Sequence, residues 1–238
     1  MVDFLVVVPH PDDEVFGAGG TLIELSERGL RAGLITLTRG EAGRTLGLCP
    51  PERLAQIRTE ELQRSAAILG VSYLEILDFP NAKPEHDDLG PLPRGTDRGE
   101  GVADHPEIAD LLRQRFHELR PRIVVTFPPN GINQHPDHVA ASRWVAKALE
   151  HGPEVQLLYY TSPQPLPGQE AEHLPPTHLR QLQPSTVLKK LRAMAQHRTQ
   201  ALSVLAFLDR APERIGVETF HQVGYQGPLQ SDLLVDLD

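Results

Sequence analysis

A single cysteine in 238 residues excludes an internal disulfide and any cysteine-based zinc motif. A metal held by this chain must be held by histidine and carboxylate side chains. Aromatic residues make up only 5% of the sequence, so an aliphatic core is expected. Cations are in deficit: the formal net charge of −9 argues against a nucleic-acid footprint and against binding to anionic membranes. No apolar run approaches the length that spans a bilayer. The opening Met1-Val2-Asp3-Phe4 has no basic region of the kind a secretory leader carries. The expected setting is the cytoplasm, with no nucleic-acid and no membrane partner. What remains is ordinary for a globular protein, with 39% hydrophobic and 23% charged residues. The length suits one α/β domain over residues 1–238.

Phe4-Leu5-Val6-Val7-Val8 is a short continuous apolar run, the pattern of a strand covered on both faces in a parallel sheet. Pro9 and Pro11 end it, because neither can donate to a ladder. A helix from about Thr21 to Arg28 and a strand from Ala32 to Leu37 complete a first β-α-β unit. A helix from about Pro51 to Leu69 and a strand from Tyr73 to Leu77 follow. Residues 78–102 form a long insertion rich in proline, glycine and charge. Helices from His105 to Leu119 and from Pro136 to Glu150 alternate with strands from Arg122 to Phe127 and from Val155 to Tyr160. Residues 163–184 read as a proline-rich surface excursion, Thr186 to Phe207 as one long final helix, and the tail as low in signal. Alternating strands and helices predict a Rossmann-like α/β fold, a mostly parallel sheet with helices on both faces. In such sheets ligands bind outside the carboxyl ends of the strands.

Two motifs sit just beyond strand ends. The first is Pro9-His10-Pro11-Asp12-Asp13-Glu14, and the second is His135-Pro136-Asp137-His138. A catalytic zinc site commonly takes three protein ligands from His and Asp or Glu and leaves a position for water. His10 and Asp13 from the first motif with His138 from the second fit that pattern. Asp12, beside the ligands, can take a proton from an activated water. His135 can face the developing oxyanion or the leaving amine, and Asp137 can hold the His135 ring in one tautomer. His135 also fits a plain helix cap, and Glu14 fits a supporting carboxylate as well as a direct role.

The paired motif resembles the signature of the LmbE-like/PIG-L family of zinc-dependent N-deacetylases. Gly19-Gly20-Thr21, Thr38-Arg39-Gly40-Glu41 and Leu69-Gly70-Val71 extend the resemblance over roughly residues 3 to 160. The resemblance implies hydrolysis of the acetyl group of an N-acetylglucosamine conjugate, with His10, Asp13 and His138 as zinc ligands, Asp12 as base, and His135 as proton-donating partner oriented by Asp137. It implies a substrate contact from Arg58, which as a bare sequence feature also fits a solvated helix face, and a sugar contact from Asp78, which also fits a turn former. Arg39 joins them as a substrate contact, or else pairs with Glu41 across the pocket floor. His197 resembles a late-helix family position and reads best as hydrogen-bonded to the pocket wall. Zinc is expected, though iron, nickel or cobalt also suit two histidines and an aspartate. The resemblance further implies a homo-oligomer. N-acetylglucosaminyl malate, of the bacillithiol pathway, is the first expected substrate. A mycothiol precursor, a chitin oligosaccharide or a natural-product intermediate stands next, and a non-catalytic sugar-binding protein is the rival from another class. Asn133 stands where mycothiol-type deacetylases carry a tyrosine, so that branch's tyrosine contact to the transition state is not expected here.

Overall fold

The structure is a computed structural model. It describes residues 1–83, 99–165, 170–231 and 233, together with the backbone of residues 86–87 and 90–91. The remainder of the two expected insertions lies outside the described residues.

In chain order the elements are β1 (Phe4–Val8), α1 (Asp13–Gly17), α2 (Gly19–Glu27), β2 (Ala32–Thr38), α3 (Leu54–Leu69) and β3 (Tyr73–Phe79). A two-residue-per-strand hairpin, β4 (His86–Asp87) and β5 (Gly90–Pro91), lies in the first insertion. Then come α4 (Ile108–Leu119), β6 (Ile123–Thr126), α5 (Pro136–Glu150), β7 (Gln156–Tyr160), β8 (His178–Gln181), α6 (Pro184–Met194), α7 (Ala201–Arg210) and β9 (Val217–Gln222). The main sheet has seven strands in the order β3-β2-β1-β6-β7-β9-β8. The first five are mutually parallel, and β9 runs antiparallel to both of its neighbours.

β1 explains why both faces are covered. Phe4, Val6 and Val8 point into one apolar cluster, and Leu5 and Val7 into the other. The first cluster lies under α2, α3 and α6, the second under α4 and α5. Each such side chain contributes about 1.5–3 kcal/mol on burial, which secures the central strands whatever the loops do. The strand order reverses between β1 and β6, which pair in parallel register with Phe4 opposite Ile123. The two motifs leave the sheet from these two adjacent strands, at the point where an α/β sheet opens a crevice. No helix among the described residues is long and apolar enough to cross a membrane.

Three expectations are corrected. The expected final helix is two helices, because a 3-10 turn at Arg198–Gln200 separates α6 from α7. The residues of this break are drawn inward by carboxylates from distant segments: His197 meets Glu14, and Thr199 meets Glu61. The excursion at 163–184 supplies an edge strand, β8, and the tail supplies β9 inside the sheet. Glu218 of β9 is buried against the Lys190 ammonium and accepts from the backbone N–H groups of Gly20 and Thr21. Finally, the helix expected from about Thr21 starts at Gly19 and is preceded by a short helix of its own. Asp13 is already the first residue of α1.

Candidate active site

The turn after β1 carries the first half of the site. Asp12 adopts φ 122°, a backbone region that side-chain-bearing residues rarely visit. The surroundings hold it there. Its N–H donates to Glu14 Oε2 at 2.9 Å, and Arg58 donates to the Pro11 carbonyl and lies 3.4 Å from Asp12 Oδ1. Such strain is kept where neighbours over-determine it, commonly at functional sites. The loop after β6 carries the second half. Gly131, Ile132 and Gln134 all have positive φ, which coils residues 130–134 tightly enough to bring the start of α5 back over the sheet. A side chain on Gly131 would meet His138 Cβ at 2.9 Å, so only glycine fits there.

Hydrogen bonds define the tautomers of the three histidines. His10 Nε2–H donates to Asp137 Oδ2 at 3.0 Å, since a carboxylate can only accept. In the neutral ring that leaves the His10 Nδ1 lone pair facing Asp13 Oδ2 at 3.5 Å. His138 Nδ1–H donates to the Gly131 carbonyl at 3.1 Å, leaving Nε2 facing Asp13 Oδ1 at 3.4 Å. Two nitrogen lone pairs and a carboxylate therefore converge with no donor among them. A cation is what such a cluster calls for. His135 differs. Its Nδ1 accepts from the Asp137 N–H at 3.1 Å, so its ring proton sits on Nε2. The ligating atoms of His10, His135 and His138 lie within 4.8 Å of one another, close enough to hold a metal ion. The tautomer leaves His135 as a donor rather than a ligand.

The electrostatics agree with a site built for positive charge. Burial alone would lower the His10 pKa, but Asp13 and Asp137 outweigh it and raise it to about 9, so a proton on Nδ1 competes with a metal ion for the place between His10 and Asp13. Burial would raise Asp13, but His138 and His10 hold it well below the usual carboxylate range. Burial pushes Asp12 up to about 7, against the opposing pull of Arg58. Burial, with repulsion from His10 and His138, drops His135 to about 2, so its ring is neutral. Phe127 stacks on the His138 ring at 3.9 Å. His10, Asp12, Asp13, Phe127, His135 and His138 line one cavity of about 790 Å³, with Asp137 buried behind His10.

Several sequence assignments are relocated. Asp137 does not orient the His135 ring with its carboxylate. The first turn of α5 points that side chain inward, onto His10 and onto the N–H groups of Ala82 and Val102. It thereby pins both ends of the 78–102 insertion to the site. Arg58 reaches the cavity wall, but its guanidinium is buried and also donates to the Gly40 carbonyl, so little of it is left for a ligand. Asp78 is 81% exposed at the end of β3 and pairs with Arg39, and neither lines the cavity. Arg39 does not pair with Glu41: its Nε donates to Thr59, while Glu41 accepts from the Asn81 N–H. Glu14 is fully buried and takes the supporting role, holding Asp12, Ser65 and His197. Asn133 does line the cavity. The sequence reading missed the wall formed by α7 and the turn after it, where Leu202, Phe207, Arg210 and Arg214 face the same space. The apolar period of the last helix was the signal for a wall, but nothing local says which space it faces.

The sequence matches the family model PIG-L: GlcNAc-PI de-N-acetylase over residues 5–149. The chain belongs to the PIG-L family. The family description places it among the de-N-acetylases, hydrolases of an N-acetyl amide bond. A relative from Bacillus anthracis, designated a probable N-acetyl-α-D-glucosaminyl L-malate deacetylase 2, is 32% identical over 218 residues, covering 90% of this chain and 88% of that protein. A 1D-myo-inositol 2-acetamido-2-deoxy-α-D-glucopyranoside deacetylase of Kineococcus radiotolerans is 36% identical over 158 residues, covering 61% of this chain but 44% of that protein. Among solved structures, a conserved protein of Thermus thermophilus superposes with a TM-score of 0.67 at 29% identity, covering 94% of this chain and 95% of the other. The PIG-L match spans both motifs and ends at α5, so α6, α7 and β9 lie beyond it.

Proposed function

We propose that this protein hydrolyses the N-acetyl group of an N-acetylglucosamine conjugate, with N-acetylglucosaminyl malate as its substrate and zinc as its metal. The observation that carries the metal is the convergence of His10 Nδ1, His138 Nε2 and the Asp13 carboxylate on one point of the cavity. These three side chains would hold the ion. When bound, it supplies Lewis-acid polarisation of the acetyl carbonyl and a lowered pKa for water.

The remaining residues act on protons. Asp12, buried beside the ligands and lining the same cavity, takes a proton from the attacking water and returns it to the departing amine. His135 is neutral and carries its proton on Nε2, so it stabilises the oxyanion as a hydrogen-bond donor, not as a cation. Asp137 holds His10 in the tautomer that frees Nδ1. Water and the amide are consumed, and acetate and the free amino sugar leave. The malate assignment is supported by the Bacillus anthracis relative, which this chain matches over most of both lengths.

The test is acetate release from N-acetylglucosaminyl malate and from N-acetylglucosamine, on protein of measured metal content, with and without a chelator. Turnover of the conjugate that stops with chelator and returns with zinc supports the proposal. Turnover of neither compound by zinc-replete protein refutes the malate assignment.

A further inference from the structure

We propose that Arg214, with Arg210 beside it on the same wall, binds the anionic part of the substrate's aglycone. The proposal rests on the reading above that the substrate is an amino-sugar conjugate. It names residues beyond the stretch that the family model matches.

The first observation is the charge distribution of the cavity. Its only carboxylates among the described residues are Asp12 and Asp13, both at the metal end. Away from that end the walls carry Arg44, Lys83, Arg210 and Arg214. A chain of net charge −9 that gathers cations around one cavity selects for an anion there.

The second observation singles out Arg214. Its Nη2 donates to the Thr161 carbonyl at 3.2 Å, and its guanidinium lies 5.6 Å over the Phe207 ring. Among the described residues no carboxylate lies within ion-pair distance of it. Glu218, which acts on it through space, is committed to Lys190, and Glu213 is exposed on the surface. Burial lowers the Arg214 pKa, so the site bears the cost of desolvating a guanidinium without an ionic partner to offset it. One bond to a carbonyl leaves most of its N–H donors uncommitted. The Phe207 ring beside the guanidinium restrains its position, and a guanidinium fork suits bidentate recognition of a carboxylate. Arg58 is less suited to this role, because both of its Nη groups already hold Gly40, Pro11 and Asp12 at the metal end of the cavity.

The experiment compares kcat/KM for N-acetylglucosaminyl malate and for the uncharged methyl N-acetylglucosaminide, in the wild type, Arg214→Gln and Arg214→Lys. The ratio between the two substrates should fall about 10- to 100-fold in Arg214→Gln, chiefly through KM, the size expected for a charge-assisted pair. Arg214→Lys should recover only part, because an ammonium lacks the planar fork. Arg210→Gln, which spares the Thr161 bond, should lower the same ratio by a smaller factor and provides the test if Arg214→Gln does not fold. An unchanged ratio overturns the proposal while leaving the deacetylase reading intact. If neither sugar is turned over, the deacetylase reading fails on its own, and calorimetric titration with glucosaminyl malate against methyl glucosaminide decides the role of Arg214. Tighter binding of the malate conjugate that is lost in Arg214→Gln sustains it, and equal binding by wild type and variant overturns it.

Discussion

His197 Nε2 lies 2.7 Å from Glu14 Oε1, although 183 residues separate the two in the chain. The pair is fully enclosed, and Glu14 raises the His197 pKa against the opposing effect of burial. The same carboxylate accepts the Asp12 N–H. One ion pair thus ties the start of the α7 wall to the strained turn that presents the proposed base. His197→Ala would leave Glu14 buried without its cation, and the unfolding free energy should fall by about 3–5 kcal/mol. Urea unfolding measures this. A loss below about 1 kcal/mol would show that the pair is not a structural tie.

Asp12→Asn keeps the shape of the turn and removes the proton acceptor. Turnover should fall about 10²- to 10⁴-fold with metal content unchanged. Acetate release read beside elemental analysis checks both parts. Near-full turnover with metal bound would remove Asp12 from the chemistry.

Asp137→Asn addresses metal retention. The carboxylate of Asp137 fixes the His10 tautomer from behind. Metal affinity should weaken about 10- to 100-fold, as seen when such supporting carboxylates are lost. Competition with a chromophoric chelator reads the affinity directly. Unchanged affinity alongside lost activity would point instead to the loop ends at Ala82 and Val102, which Asp137 also holds.

Acid stability has a separate source on β3. Glu75 accepts from Arg115 Nε at 2.9 Å and from the Tyr73 hydroxyl at 2.7 Å. Burial would raise the Glu75 pKa, but these two donors outweigh it and hold it below its ordinary 4.5. A group depressed on folding contributes stability above its unfolded pKa and loses it as pH falls through the folded one. Glu75→Gln should therefore flatten the decline in thermal midpoint on the acid side of pH 4.5, while changing the slope little above it. A slope on the acid side equal to that of the wild type would refute the assignment.

The parallel core was legible because its signals are local. Phe4 to Val8 and Ile123 to Val125 are apolar on every residue, and only strands covered on both faces tolerate that. The motif residues were legible because proline stops each strand or opens each helix beside clustered histidine and aspartate. β9 was not legible. Glu218 sits in its middle and reads as a surface residue until Lys190, on a different element, is brought against it. The break between α6 and α7 contains neither glycine nor proline, and its cause lies in Glu14 and Glu61, far away in the chain.

The sequence by itself determined the fold class, the family, and the two clusters of histidine and aspartate, because these depend on residue type, period and spacing. Only the tertiary structure decided what each side chain faces. It turned Asp137 from His135 to His10, gave His135 its proton on Nε2, occupied Arg58 within the site wall and brought Arg214 to the cavity. The physical reason is that a hydrogen bond is set by distance and direction over a few ångströms, and in this chain those partners lie up to 183 residues apart.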